Sequence, residues 1–389
     1  MEYSLCKSSW DEKEIGAIKE VIGSGMYTMG KYVAGYEKKF AQKIGSRYAV
    51  MVNSGSSANL IGIASLIYSG RINRGDEVVV PAVSWSTTYF PLSQFGLKLV
   101  FVDVDPETFN MDITKLQNVI TDKTKLVVAV NLLGNANDFK QLSGICRKEN
   151  IILMEDNCEA MGAVYDGKQL GTIGILGTFS TFFAHHLCTM EGGMVVTDNQ
   201  ELYEYMLCIR AHGWTRNLPL DSKIHVPCED PFYEKFNFIV PGFNVRPLDM
   251  EGAVGLQQLD KLDDIIVNRR KNAQYIAGCL EDIPGIRLQK EVGQASWYGF
   301  GMVLEGVYAS KRNNIVAELE EAGIETRPVV AGNFTRNKAI RYIDYSIPYP
   351  LDNADKIHNS GFYIGNHPVL INDMIDYYTD VLKKIMKGL

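Results

Sequence analysis

Four strand-end stretches of this 389-residue chain carry side chains that could do chemistry. The stretch "TFFAHHLCTMEGG" (181–193) sets His185 and His186 between an apolar run and the strand-like "MVVTD". An imidazole with an unperturbed pKa near 6.5 is suited to moving a proton at neutral pH. A histidine pair is also often structural, and His186 is assigned to structure. Metal binding is a rival, but a metal needs further ligands at fixed spacing, and no HxxxH or HExxH pattern occurs. "NSGSSANL" (53–60) runs from a strand end into Gly55, Ser56 and a helix. Helix-terminal N–H groups with small hydroxyls make an anion site, although the same residues also form an ordinary N-cap. Ser180, five residues before His185, is a second candidate phosphate hydroxyl. Trp85 in "PAVSWSTT" either packs or lies flat on a planar ligand. "IILMEDNCEA" (151–160) ends a strand in Glu155, Asp156 and Glu159, where a carboxylate could pair with a protonated ring nitrogen.

The elements that must position these groups are legible in the hydrophobic pattern. "EVVVPAV", "LKLVFVDV", "KLVVAVNLL", "NIILMEDN" and "GMVVTD" are apolar runs of strand length. Helical patterns such as "SANLIGIASLIYSG" and "DFKQLSGICRKEN" separate several of them. Near-continuous apolar strands between helices predict a mostly parallel sheet covered on both faces, with ligands at the carboxyl ends of its strands. A charged helical stretch over about 247–282 leads into a smaller α+β unit, giving a division into residues 1–264 and 265–389.

Composition narrows the function. The chain is 46% hydrophobic with a formal charge of −7, long enough for two lobes, since single cores stop growing at roughly 250–300 residues. No basic block suits nucleic acid. No apolar run reaches the roughly 18–20 residues that span a membrane, and the first residues do not read as a signal peptide. The cytoplasm is the expected compartment. Seven scattered cysteines with no CxxC or CxC pair read as reduced thiols, with neither a zinc knuckle nor a redox motif.

Together the motifs resemble the sugar aminotransferases of the DegT/DnrJ/EryC1/StrS type, fold-type I enzymes that use pyridoxal phosphate. The resemblance runs from "MYTMGKYVAGYEKKFAQKIGSRYAVMVNSGSSANL" through "EDNCEAMGA", "EGGMVVTDN", "RAHGWTRN" and "NVRPLDMEGAVGLQQL". It implies an α/β large domain with a mostly parallel seven-stranded sheet and a smaller C-terminal α+β domain. By position, Gly55, Ser56 and Ser180 hold the cofactor phosphate, Trp85 covers a ring face, Asp156 meets the ring nitrogen and Glu159 contacts the ring or its hydroxyl. Asn244, in "GFNVR", matches an asparagine that reaches the phosphate in a partner subunit's site, which implies a homodimer with shared active sites. His212 and Arg216, in "RAHGWTR", are candidate contacts to the substrate or amino donor.

One position departs from the family. Where the aminotransferases carry the lysine that binds the cofactor covalently, this chain has His185, and no lysine occurs between Lys168 and Lys223. Pyridoxal phosphate and its pyridoxamine form must then be held noncovalently. The resemblance implies C3 deoxygenation of a nucleotide-linked 4-keto-6-deoxyhexose, with L-glutamate as amino donor and His185 as acid and base. One enzyme type with this replacement acts on CDP-sugars and carries an iron–sulfur cluster that needs a close C-x-C pair. None is present here, so no cluster is expected. The motifs "VPAVSWSTTY", "VNLLGN" and "FNVRPLDM" resemble those of the enzyme type without a cluster, which implies GDP-4-keto-6-deoxymannose as substrate. An aminotransferase using a distant lysine, a CDP-sugar enzyme and a non-catalytic binding protein are the alternatives.

Overall fold

The apolar runs form strands because both of their faces are covered. The computed structural model describes residues 1–389. The first nine strands are β1 Tyr48–Val52, β2 Glu77–Pro81, β3 Lys98–Val102, β4 Thr124–Val130, β5 Ile152–Asp156, β6 Val164–Tyr165, β7 Lys168–Gln169, β8 Leu176–Ser180 and β9 Gly193–Thr197. Five follow: β10 Ile286–Leu288, β11 Gly299–Leu304, β12 Thr326–Arg327, β13 Tyr345–Ser346 and β14 Gly361–Gly365.

The large sheet has the order β1-β9-β8-β5-β4-β2-β3-β13. β9 runs antiparallel to both neighbours, and every other pairing is parallel. The seven-stranded sheet expected from the sequence is therefore present, with the two-residue β13 added at one edge. Along the central strands side chains alternate between two cores. Val78, Val80, Leu126 and Val128 enter one, while Val79, Val127 and Ala129 enter the other. This period of two inside a continuous apolar run is what a sheet packed on both faces demands.

The expected long helical stretch is two helices, Asp249–Leu259 and Leu262–Leu280. The second joins two cores: Leu262, Ile265 and Ile266 pack with β1 and β9 residues, and Ala273, Ile276 and Leu280 pack beneath a second sheet. That sheet, in the order β10-β11-β14-β12, is antiparallel throughout. Tyr3, from the other end of the chain, is buried in its core and hydrogen-bonds the Gly365 carbonyl at 2.8 Å.

β1 is parallel to β8, because each is antiparallel to β9. The carboxyl ends of β1, β2, β4, β5 and β8 thus open on one edge, and each of the strand-end stretches singled out above falls there. Phe40, on helix Lys31–Ile44, fixes that helix to β8 by meeting Phe179 edge-on at 5.4 Å, and is itself backed by Tyr36 of the same helix at 5.7 Å. It is fully buried. Phe40→Ala is expected to cost about 3–5 kcal/mol and to lower the urea midpoint. A loss below about 1 kcal/mol would mean this contact does not hold the two layers together.

Candidate active site

A cavity of about 670 Å³ lies at the converging strand ends. Gly55, Ser56, Trp85, Asp156, Glu159, Ser180 and His185 all line it, and no lysine does.

The anion cradle comes from how β1 hands over to helix Gly55–Tyr68. Ser54 is its N-cap, accepting the Ser57 N–H at 3.0 Å and leaving the N–H groups of Gly55 and Ser56 without a protein acceptor. These point positive helix-end charge at the cavity. Glycine is required at 55 for close approach: a Cβ there would sit 2.6 Å from Ser180 Cβ and 2.9 Å from Cys158 Sγ. Only without it can the helix end and the Ser180 hydroxyl share one anion.

Asp156, the last residue of β5, is buried. Its Oδ2 accepts hydrogen bonds from Asn59 Nδ2 at 2.9 Å and Thr88 Oγ1 at 2.7 Å, and its Oδ1 accepts from the Cys158 N–H at 3.1 Å. Thr88 has one hydroxyl proton, so at the 2.9 Å Ser84–Thr88 contact Ser84 must donate. All these donors are neutral. A buried carboxylate without a cationic partner asks for one from the cavity. Trp85, 58% exposed at the start of helix Ser86–Gln94, offers its indole to the same space. Glu159 Oε2 accepts the Leu133 N–H at 2.9 Å. Burial, helped by neighbouring Asp156 and opposed by that hydrogen bond, raises its carboxyl to about 7.

His185 stands on the loop after β8, with its ring edge-on to Phe182 at 6.1 Å and tilted against Tyr298 at 5.2 Å. Its Nδ1 is buried with no partner. Burial lowers the imidazole to about 4, the buried Arg269 adding to the effect and the Phe182 carbonyl opposing it. At neutral pH the ring is therefore uncharged and free to accept a proton. His186 is fully buried outside the cavity, with Nε2 3.1 Å from the Ser296 carbonyl.

Asn244, His212 and Arg216 do not join this group. All three are exposed and outside the cavity. Asn244 Oδ1 accepts from Arg246 Nε at 3.0 Å, His212 lies 3.5 Å from Arg246, and Arg216 stacks over the Trp214 ring at 5.0 Å. The sequence reading missed other lining residues. Asn59 and Thr88 each lie one helical turn beyond a residue it did select, so i,i+3 spacing could have found them. Tyr298, Glu325, Arg327 and the N-terminal Leu5 and Cys6 reach the cavity from remote segments, and no local pattern marks them.

The donor set fits pyridoxal phosphate on the structure's own terms: an anion cradle needing glycine, an unpaired buried carboxylate and an exposed flat indole around one cavity. Fold and site thus define an enzyme of the pyridoxal-phosphate aminotransferase architecture. The chain belongs to the DegT/DnrJ/EryC1/StrS aminotransferase family, whose profile matches residues 8–383. It is 50% identical over 388 residues to the GDP-4-keto-6-deoxy-D-mannose 3-dehydratase of Yersinia pseudotuberculosis, covering 99% of each chain. Two solved structures of GDP-4-keto-6-deoxymannose 3-dehydratase superpose on it with TM-scores of 0.96 at 49% identity, covering 98% of this chain and all of theirs. One holds a trapped PLP–glutamate geminal diamine; the other, a histidine-to-asparagine variant, holds GDP-perosamine.

Thr88→Val keeps the side-chain shape but removes a hydrogen bond to the Asp156 carboxylate. Losing a bond to a charged group is worth about 1.5–3 kcal/mol, so the dissociation constant for pyridoxal phosphate should rise at least about tenfold in an absorbance titration. Unchanged affinity would remove Asp156 from the cofactor site.

Proposed function

We propose that this chain removes the C3 hydroxyl of GDP-4-keto-6-deoxymannose, giving the 3,6-dideoxy-4-keto sugar while L-glutamate becomes 2-oxoglutarate and ammonia. The observation that carries the reading is a single substitution in an otherwise complete site: an uncharged imidazole, His185, in a cavity that no lysine lines.

When bound, the cofactor supplies an electron-accepting pyridine ring and an amine that joins the C4 carbonyl of the sugar. The Gly55 and Ser56 N–H groups and the Ser180 hydroxyl hold its phosphate. Asp156, oriented by Asn59 and Thr88, accepts the proton-bearing ring nitrogen and keeps it charged. Trp85 covers one ring face, and Glu159 meets the ring hydroxyl. His185 takes a proton from the C4′ carbon and returns one to the departing C3 oxygen, which leaves as water. In the glutamate half-reaction the same imidazole moves a proton from the amino acid's α-carbon to C4′. A lysine there could also bond covalently to the aldehyde; an imidazole cannot. That difference favours deoxygenation over amination of the sugar.

The reading extends to a homodimer in the cytoplasm. Asn244, His212 and Arg216 lie on an exposed segment that also presents Phe232, Tyr233, Phe236 and Phe238 to solvent. A surface of that apolar character suits burial against a second copy, which would carry these residues toward the neighbouring cavity. Seven free cysteines suit a reducing compartment, and no helix is long and apolar enough to cross a membrane. The division at residue 264/265 falls inside helix Leu262–Leu280, which supports two lobes joined by one rigid element.

His185→Asn should reduce glutamate-driven 2-oxoglutarate formation by about 10²–10⁴-fold, the usual worth of a general base, while pyridoxal phosphate still binds by absorbance. A rate within threefold of the parent's, with the cofactor bound, would place the base elsewhere.

A further inference from the structure

Arg269, on helix Leu262–Leu280, is among the largest fully buried side chains of the molecule. It makes no ion pair. Its Nη1 donates to two main-chain oxygens, those of Trp297 at 3.2 Å and Tyr298 at 2.9 Å, and its Nε has no partner. A buried cation without an anion is costly, and apolar replacements of buried charges are often neutral or stabilising. Burial weakens even this guanidinium's hold on its proton, bringing it to about 10.

What it grips is unusual. Trp297 has φ +50°, the left-handed region that a bulky residue rarely occupies. The Trp297 carbonyl is held a second time, by Asn366 Nδ2 at 2.9 Å. The next residue, Tyr298, lays its ring 5.2 Å from that of His185 and 6.2 Å from that of His186. Arg269 therefore stands behind the turn that backs the imidazole at the reaction centre.

We infer that Arg269 is a positioning residue for His185: it locks the strained Trp297–Tyr298 turn so that Tyr298 packs against the imidazole, and it sets an unpaired positive charge behind that turn. The inference rests on His185 as the proton carrier. The other titratable groups around His185 are His186 on its own loop, Asp156 and Glu159 past β5, and Glu191 before β9. Cys158 past β5, Glu325 and Arg327 at β12, Tyr298 and Tyr363 from the small sheet, Cys6 from the N-terminal segment and Arg270 beside Arg269 complete the set. Tyr298 and Tyr363 remain neutral, since burial pushes their hydroxyls up. Burial disfavours a charged imidazole at His185 most strongly, and Arg269 is the cation that adds to it; it acts on His186 in the same sense, there together with Arg270.

The test is histidine-labelled NMR of the cofactor-free full-length protein, with His185→Asn assigning the resonance, alongside the pH profile of the glutamate half-reaction. The parent imidazole should titrate at about 4. In Arg269→Met its midpoint, and the acidic limb of the half-reaction, should move up while staying below the free value, because a like charge has been removed and burial remains. Arg269→Lys, which keeps the charge, should hold both low. Asn366→Ala loosens the same turn with the charge in place and should slow the reaction without shifting the limb. A folded Arg269→Met protein with an unshifted midpoint overturns the inference. If that variant does not fold, a midpoint near 6.5 in Arg269→Lys or in the parent overturns it as well. The NMR midpoint is read without turnover. It therefore reports on Arg269 even if the activity of His185→Asn shows that the base lies elsewhere.

Discussion

A buried carboxylate with no cation beside it is the feature on which the rest of this structure turns. Asp156 ends β5 and receives hydrogen bonds from Asn59 on the helix after β1, Thr88 on the helix after β2, and its own following main chain. Three segments thus converge on one side chain without neutralising it. The cavity beside it is left electrostatically divided, negative at Asp156 and positive at the start of helix Gly55–Tyr68. A ligand with a protonated ring nitrogen at one end and a phosphate at the other meets both demands. Breaking the parallel order of the sheet would separate the two ends.

On the proposed function, His185 decides which reaction follows. Its loop leaves β8 immediately after Ser180, so the imidazole is tied to the hydroxyl beside the anion cradle. Burial keeps the imidazole neutral, which suits a base at neutral pH, and its chemistry excludes a covalent hold on the cofactor. The remaining contacts must then carry cofactor affinity alone. The cradle is tight enough that a single methyl group at Gly55 would not fit.

Much of the cavity was legible in the sequence for a physical reason: its lining groups follow strands whose apolar runs are too continuous to be anything but sheet. Gly55, Trp85, Asp156 and Ser180 each sit within a few residues of such a run. β8, "LGTFS", was harder to see, because Gly177 and two hydroxyl residues break its apolar character. Gly177 is there since a Cβ would come within 2.4 Å of Gly171. β13 is two residues long and carries no pattern of its own. Tyr298, Arg269, Glu325 and Arg327 lie more than eighty residues from His185 in the chain, and only tertiary packing brings them near it. Asn244, His212 and Arg216 came from family resemblance alone, and the chain places all three exposed and outside the cavity.

The central claim is that an imidazole in place of an amine makes the chain remove oxygen from a sugar without leaving nitrogen on it. A nitrogen balance tests this most directly. The purified protein is given pyridoxal phosphate, L-glutamate and GDP-4-keto-6-deoxymannose, and ammonia, 2-oxoglutarate and sugar product are quantified together. Ammonia released in step with 2-oxoglutarate, alongside a nitrogen-free 3-deoxy sugar, is the result this account predicts. Nitrogen retained on the sugar would contradict it and return the chain to the aminotransferases it resembles.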